Sequence, residues 1–198
     1  IRNRLSPHFI FNVLNQEVVN RKEEEKQELV SLVKLMRRNL ELAEQLCVTL
    51  AEELDFVKTY IDLERRSLGA TFHPVIEIAG DVLPESVWLP SMMIQIPVEN
   101  SVKHALRGKE GKRNLWIAAD RREGGVCIRI TDNGGGYHPE SRNRGTGTGM
   151  KVIMQTIQIL NMKNQAAIDI SVHNVTLPSG ETGCEVTFLL PEKYDYRI

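Results

Sequence analysis

The chain has 198 residues, 25 Lys plus Arg against 26 Asp plus Glu, 41% hydrophobic residues and a formal net charge of −1. That length admits one large domain or two small ones with a real core, and the charge balance leaves no global field to draw in nucleic acid or an anionic membrane. The longest apolar stretch, residues 88–98, is interrupted by Pro90, Ser91, Gln95 and Pro97, far short of the roughly 18 residues that a spanning helix needs. Cys47, Cys127 and Cys184 stand far apart without CxxC spacing, which argues against a disulfide scaffold or thiolate zinc site and for a reducing compartment. Ile1, followed by Arg2 and Arg4, reads as the start of a piece cut from a longer chain, with no signal-peptide core.

Along the chain, Ser6-Pro7 offers an N-cap with proline at the first helical position. From Leu29, apolar or small residues recur every 3.5 residues through Val33, Met36, Leu40, Ala43, Cys47, Leu50, Leu54, Val57 and Ile61, the pattern of a helical hairpin or dimerising bundle. Thr49-Leu50-Ala51-Glu52 matches a capping box and calls for a break near Val48, while the repeat runs through it, so break and continuity both stay open. Gly69 stands where a helix C-terminal cap is expected.

After Gly69 the grammar changes. Residues 74–78, 115–119, 126–130, 167–172 and 185–190 read as strands, the second and third joined across Glu123-Gly124-Gly125, and residues 89–106 and 150–160 read as helices. Strand pairs mixed with helices predict an α+β fold, not a doubly wound parallel sheet.

Two glycine loops carry the chemistry. Asp132-Asn133-Gly134-Gly135-Gly136 follows a strand, and Gly145-Thr146-Gly147-Thr148-Gly149 precedes a helix. Such loops let backbone approach a ligand closely, and the helix start offers N–H groups to an anion, so a phosphate-bearing ligand fits. Taken alone, the first loop is equally readable as a hairpin turn. A P-loop is excluded because neither Gly108-Lys109-Glu110 nor Gly111-Lys112-Arg113 supplies GxxxxGK[ST], and Met150 stands in the last glycine's place of a Rossmann fingerprint. Upstream, Gln95-Ile96-Pro97-Val98-Glu99-Asn100-Ser101-Val102-Lys103-His104 lies on a predicted helix, where the spacing brings Asn100, Lys103 and His104 towards one face.

The ordered run VEN-x-x-KH, DNGGG, GTGTGM resembles the N, G1 and G2 boxes of the GHKL ATPase superfamily. Ser6-Pro7-His8-Phe9-Ile10-Phe11-Asn12-Val13-Leu14-Asn15 resembles the PHFxFNxLN phosphoacceptor box of LytS/YehU-type sensor histidine kinases, and Thr49 to Glu64 resembles the segment that joins it to the ATPase domain. The resemblance implies a helical phosphoacceptor and dimerisation region at 1–69, truncated at its start, and a GHKL-type (Bergerat) ATP-binding α/β sandwich of mixed sheet and helices at 70–198. It also implies ATP and Mg²⁺ as cofactors, with Asn100 holding the metal against the triphosphate, Lys103 contacting phosphate, His104 as part of the N box, and Asp132 accepting a hydrogen bond from the adenine amino group. Gly134 and Gly136 would shape the base pocket, Gly145, Gly147 and Gly149 would wrap the phosphates, and a short lid would run over residues 137–144, with Arg142 and Arg144 as phosphate contacts. His8 would accept the phosphoryl group and pass it to an Asp of a response regulator of the LytTR type, with Glu99 the nearest candidate base. A homodimer, no direct nucleic-acid contact, a hinge near Gly69, and the cytoplasmic portion of a bacterial inner-membrane protein, reached through upstream segments, complete the implied picture.

Departures from the pattern are Ala105-Leu106 after the KH pair and Pro97 one place late. His73, His138 and His173 form no metal-ligand cluster and read as structural, and Glu23-Glu24-Glu25 reads as a solvated face or turn. Two other functions compete: a GHKL ATPase that uses nucleotide only for conformational closure, and a nucleotide-binding interaction module without autokinase activity. The first needs further large domains, and intact His8, Asn100 and Asp132 speak against the second.

Overall fold

The computed structural model describes residues 45–137 and 148–197 together with residue 30. His8, Gly145, Gly147, Arg142, Arg144, Glu23-Glu24-Glu25 and most of the 3.5-residue repeat lie outside these residues. Within them the order is β1 (Cys47–Thr49), α1 (Leu50–Leu68), a 3₁₀ turn (Gly69–Thr71), β2 (Phe72–Ile78), β3 (Trp88–Pro90) and α2 (Gln95–Asn100), which continues as a π-helical segment (Ser101–Leu106). Then follow β4 (Arg113–Arg122), β5 (Gly125–Asp132), α3 (Thr148–Asn161), β6 (Asp169–Thr176) and β7 (Thr182–Pro191).

The break at Val48 is real. Residues 47–49 pair antiparallel with β3, Cys47 opposite Pro90 and Thr49 opposite Trp88. Thr49 then opens α1 as its N-cap: the Glu52 N–H donates to Thr49 Oγ1 at 3.3 Å and the Thr49 N–H donates to Glu52 Oε2 at 2.9 Å. At the far end Gly69, at φ 69, donates its N–H to the Arg65 carbonyl and ends the helix.

The main sheet has the order β2-β4-β5-β7-β6, with β2 parallel to β4 and every other pair antiparallel. Alternation along β4 buries Leu115, Ile117 and Ala119, and the register sets Ile117 beside Ile130 and Val186 and Ala119 beside Ile128 and Phe188. Helices, with Ile94 from the turn before α2, cover this face with Leu54, Phe56, Val57, Ile61, Val98, Val102, Ile153 and Ile157, all in one buried cluster. Mixed sheet and helices give the expected α+β sandwich.

Two expectations change. Residues 89–106 are not one helix, because the pairing with β1 draws Trp88–Pro90 into a strand and helix begins only at Gln95. A hinge at Gly69 does not suit the packing either: α1, on its N-terminal side, buries Leu54, Phe56, Val57, Tyr60, Ile61 and Leu68 in the same cluster as the sheet. No helix among the described residues is long and apolar enough to cross a membrane.

Candidate functional site

Register along β5 decides where the site lies. Asp132 is the last residue of the strand, paired with Leu115 on one side and Cys184 on the other, so its side chain stands at the end of the sheet with 3% exposure. One oxygen, Oδ1, accepts the Gly134 N–H at 2.9 Å, and Oδ2 accepts the Ser101 hydroxyl at 2.8 Å. Burial pushes the Asp132 carboxyl above the ordinary range, against the pull of the N–H of Gly134, the hydroxyl of Ser101 and the N–H of Cys184. A carboxylate has room for about four donors, more than the Gly134 N–H and the Ser101 hydroxyl fill.

The loop that follows is moulded by close approach. A Cβ on Gly134 would lie 2.3 Å from the Ala105 Cβ, so the loop and the π-helical segment touch backbone to backbone. Ala105, a departure from the family pattern by sequence, is therefore the residue that fills the space Gly134 leaves, while Leu106 is fully buried in the core. Gly136 sits at φ +89, and a Cβ there would meet Asn174 Oδ1 at 2.9 Å. Gly149, in the first turn of α3, packs on Ile96 of α2, 2.9 Å from where a Cβ would stand.

The N-box residues face this loop from α2 and its continuation. The π step, with the Arg107 N–H reaching the Val102 carbonyl at 2.9 Å, widens the turn that carries Lys103 and His104; such steps often mark functional sites. Asn100 is partly buried, and its carboxamide has no hydrogen-bond partner among the described residues. Lys103 and His104 are exposed. Lys103 Nζ pairs with Glu99 Oε2 at 2.8 Å, and Gln95 Nε2 donates to Glu99 Oε1 at 2.9 Å, so both oxygens of Glu99 are engaged along its own helix.

Sequence reasoning missed four supporting residues. Ser101 links the N box to Asp132. Asn133, 2% exposed, accepts the Asn114 N–H at 2.8 Å and donates to the Lys112 carbonyl at 3.0 Å and Glu181 Oε2 at 3.2 Å, fastening the glycine loop to the start of β4. Asn174 on β6 grips the backbone of Tyr137 from both sides, accepting its N–H at 2.6 Å and donating to its carbonyl at 3.1 Å. Gly183 lies so close to the Asp132 carbonyl that a Cβ would stand 1.9 Å from it. The adjacency of Ser101 to Asn100 and of Asn133 to Asp132 was the only local signal; Asn174 and Gly183 gave none. His73 is exposed, and His173 Nε2 lies 3.3 Å from Glu185 Oε1 on the sheet; His138 falls outside the described residues.

A buried acceptor with capacity to spare, glycines that only a missing Cβ allows, and an unpartnered carboxamide on the neighbouring helix suit an adenine nucleotide. Among the described residues no group of three or more His, Cys, Asp or Glu is placed to hold a metal. A single carboxamide with phosphate oxygens suits Mg²⁺, which keeps much of its water and needs few protein ligands.

Residues 1–72 match a histidine kinase family model, and residues 90–194 match the model described as histidine kinase-, DNA gyrase B-, and HSP90-like ATPase. Sensor protein LytS of Bacillus anthracis is 28% identical across 96% of this chain and 33% of its own length. Sensor histidine kinase BtsS of Escherichia coli is 31% identical across 73% of this chain and 26% of its own. The chain thus spans about a third of the length of the curated relatives it matches. In structure it resembles the histidine kinase domain from the Erythrobacter litoralis EL346 blue-light activated histidine kinase, with a TM-score of 0.51 at 14% identity, over 92% of this chain and 81% of that one. With more than half of its residues matched by one model, this chain belongs to the histidine kinase, DNA gyrase B and HSP90-like ATPase family.

Proposed function

We propose that this chain is the autokinase part of a LytS-type sensor histidine kinase: it binds ATP with Mg²⁺, phosphorylates His8 and passes the phosphoryl group to an Asp of a response regulator of the LytTR type. The observation that carries the reading is the convergence of Asp132, Gly134 and the Asn100 helix at one end of the sheet, where Ser101 bonds to Asp132 and Ala105 abuts Gly134.

In this reading Asp132 accepts the adenine amino group, Gly134 and Gly136 shape the base pocket, and Gly145, Gly147 and Gly149 line the phosphates. Asn100 would hold Mg²⁺, which when bound offsets charge on the phosphate oxygens. Lys103 leaves Glu99 to meet a phosphate, with His104 beside it, and the released Glu99 carboxylate is the candidate base. His8 Nδ1 or Nε2, neutral near pH 7, attacks the γ-phosphorus in line. The N–P bond forms as the bond to the bridging β–γ oxygen breaks, and ADP departs with that electron pair. Phosphoryl transfer asks chiefly for positioning and charge neutralisation, which suits a rigid pocket joined to a separate acceptor.

Residues 1–69 are assigned to the phosphoacceptor and dimerisation region and residues 70–198 to the catalytic domain, with α1 riding on the latter. The whole protein is placed at the bacterial inner membrane with this portion in the cytoplasm, as a homodimer.

Incubation with γ-labelled ATP and Mg²⁺ tests the assignment. Acid-labile label is expected on the wild-type chain and should be absent from His8→Gln; label that survives the substitution would remove His8 from the acceptor role.

A further inference from the structure

Glu53 is a carboxylate with no exposure to solvent, set on the α1 face that also buries Leu50, Leu54, Val57 and Ile61. It accepts the backbone N–H of Met92 and, at 3.1 Å each, those of Ile94 and Gln95. These are the groups that open α2. The first N–H groups of a helix have no partner within it, and Met93, Ile94 and Gln95 are all buried away from water. A carboxylate matches both the donors and the positive end of the helix.

The backbone is bent to meet it. Met92 is the only non-glycine at positive φ among the described residues, at 68°, a sparsely populated conformation that persists only where surrounding contacts fix it. The segment leading to Glu53 is itself tied to the same stretch: the Ser91 N–H donates to the Leu46 carbonyl at 2.9 Å and the Leu50 N–H to the Val87 carbonyl at 2.7 Å. Packing of Met93, Ile94 and Val98 holds α2 to the sheet without direction, whereas three hydrogen bonds to one carboxylate fix its height and rotation.

Asn100 and Lys103 lie on the uninterrupted continuation of that helix, and Asp132 lies on β5, outside it. We infer that Glu53 is a positioning residue of the nucleotide site: by clamping the start of α2 it sets where Asn100 and Lys103 stand relative to Asp132. The inference rests on the nucleotide reading above, and it predicts a selective defect. Glu53 should govern chiefly the phosphate and metal end of the ligand, because Asp132, although bonded by Ser101, is held on β5 between Leu115 and Cys184 and by the Gly134 N–H.

The test is titration calorimetry of ATP on the full chain, with Mg²⁺ and with EDTA, for wild type, E53Q, E53D and D132A, each checked for folding by circular dichroism. In E53Q the Mg²⁺-dependent gain in affinity should fall about tenfold, the scale of lost hydrogen bonds to a charged group, while affinity in EDTA stays within about twofold of wild type. E53D, one methylene shorter but still charged, should fall between them. D132A should lose binding in both arms. Wild-type ATP binding with an unaltered Mg²⁺ gain in E53Q, or an equal loss in both arms, would overturn the clamp and leave the nucleotide reading standing. Absence of ATP binding by the wild type would overturn both. Unfolding of both Glu53 variants would make the residue a general core support and also overturn the inference.

Discussion

Along the covered face of the sheet, Ile117, Ile130 and Val186 form one cross-strand row and Ala119, Ile128 and Phe188 the next, each packed among several apolar neighbours. At the rim a few residues further on, Ser101, Asp132 and Asn133 are also buried, yet each meets only one to three named atoms at hydrogen-bond distance. The first region is redundant: volume-conserving exchanges there cost less than about 1.5 kcal/mol because contacts are many and undirected. In the second, removing one partner strands another buried polar group, at about 1–3 kcal/mol each. The rim is therefore kept for its geometry, while the apolar face keeps the chain folded.

The sharpest way to break that contrast is Asp132→Ala. It deletes the only buried carboxylate at the rim among the described residues and leaves the apolar rows intact. Adenine-nucleotide affinity measured by calorimetry should fall by about 100-fold or more, the scale of a lost hydrogen bond to a charged group together with stranded donors. Relief from burying a charge offsets part of the stability cost, since burial raises the Asp132 pKa. A folded variant with wild-type affinity would show that the rim is as replaceable as the apolar face.

A smaller effect is expected at Asn174, where the rim meets the segment read as a lid. Asn174→Ala removes two hydrogen bonds to the Tyr137 backbone, both at an exposed position. Stability should change by less than about 1 kcal/mol because water replaces the lost partners. The rate of label incorporation from γ-labelled ATP should fall several-fold if residues 137–144 act as the lid proposed above, since Asn174 holds Tyr137 at its start. An unchanged rate would confine Asn174 to holding β6 and the loop together.

Legibility in the sequence follows the same division. The capping box at Thr49 and Glu52, the cap at Gly69 and the strand pair joined across Glu123-Gly124-Gly125 each depend on residues within a few places of one another, and all three appear as expected. Where partners are distant the reading goes astray. Trp88–Pro90 becomes a strand because residues 47–49 lie against it, and nothing in the 88–98 stretch carries that information. Glu53 reads as a second acid in a helix's first turn, where the dipole alone would favour it; its task appears only when Met92, Ile94 and Gln95 come to meet it. The glycine loops and the N box were legible as chemistry because their order is fixed in the chain. The residues that hold them, Asn174 and Gly183, come from strands about 40 to 50 positions later and became visible only with the sheet's register.

The mildest perturbation lies at the outer edge of the rim, on Glu181. Its carboxylate receives Lys109 Nζ at 2.8 Å, Asn133 Nδ2 at 3.2 Å and the Ser179 hydroxyl at 3.0 Å, and these donors, Lys109 first, hold its pKa down at about 2 against an ordinary value of 4.5. A carboxyl whose pKa is lowered by folding adds stability in its ionised form. That contribution is complete above the unfolded value and is lost as the pH falls from about 4.5 to about 2. Glu181→Gln should therefore lower the melting temperature slightly at neutral pH and flatten its decline across that acid window. Salt should shrink the difference, because the pair is partly exposed and screened. The affinity for adenine nucleotide should hardly move, since Asn133 keeps its bonds to Asn114 and Lys112. If instead the acid limb is as steep in the variant as in wild type, the Lys109 pair contributes nothing and Asn133 alone fastens the glycine loop to the sheet.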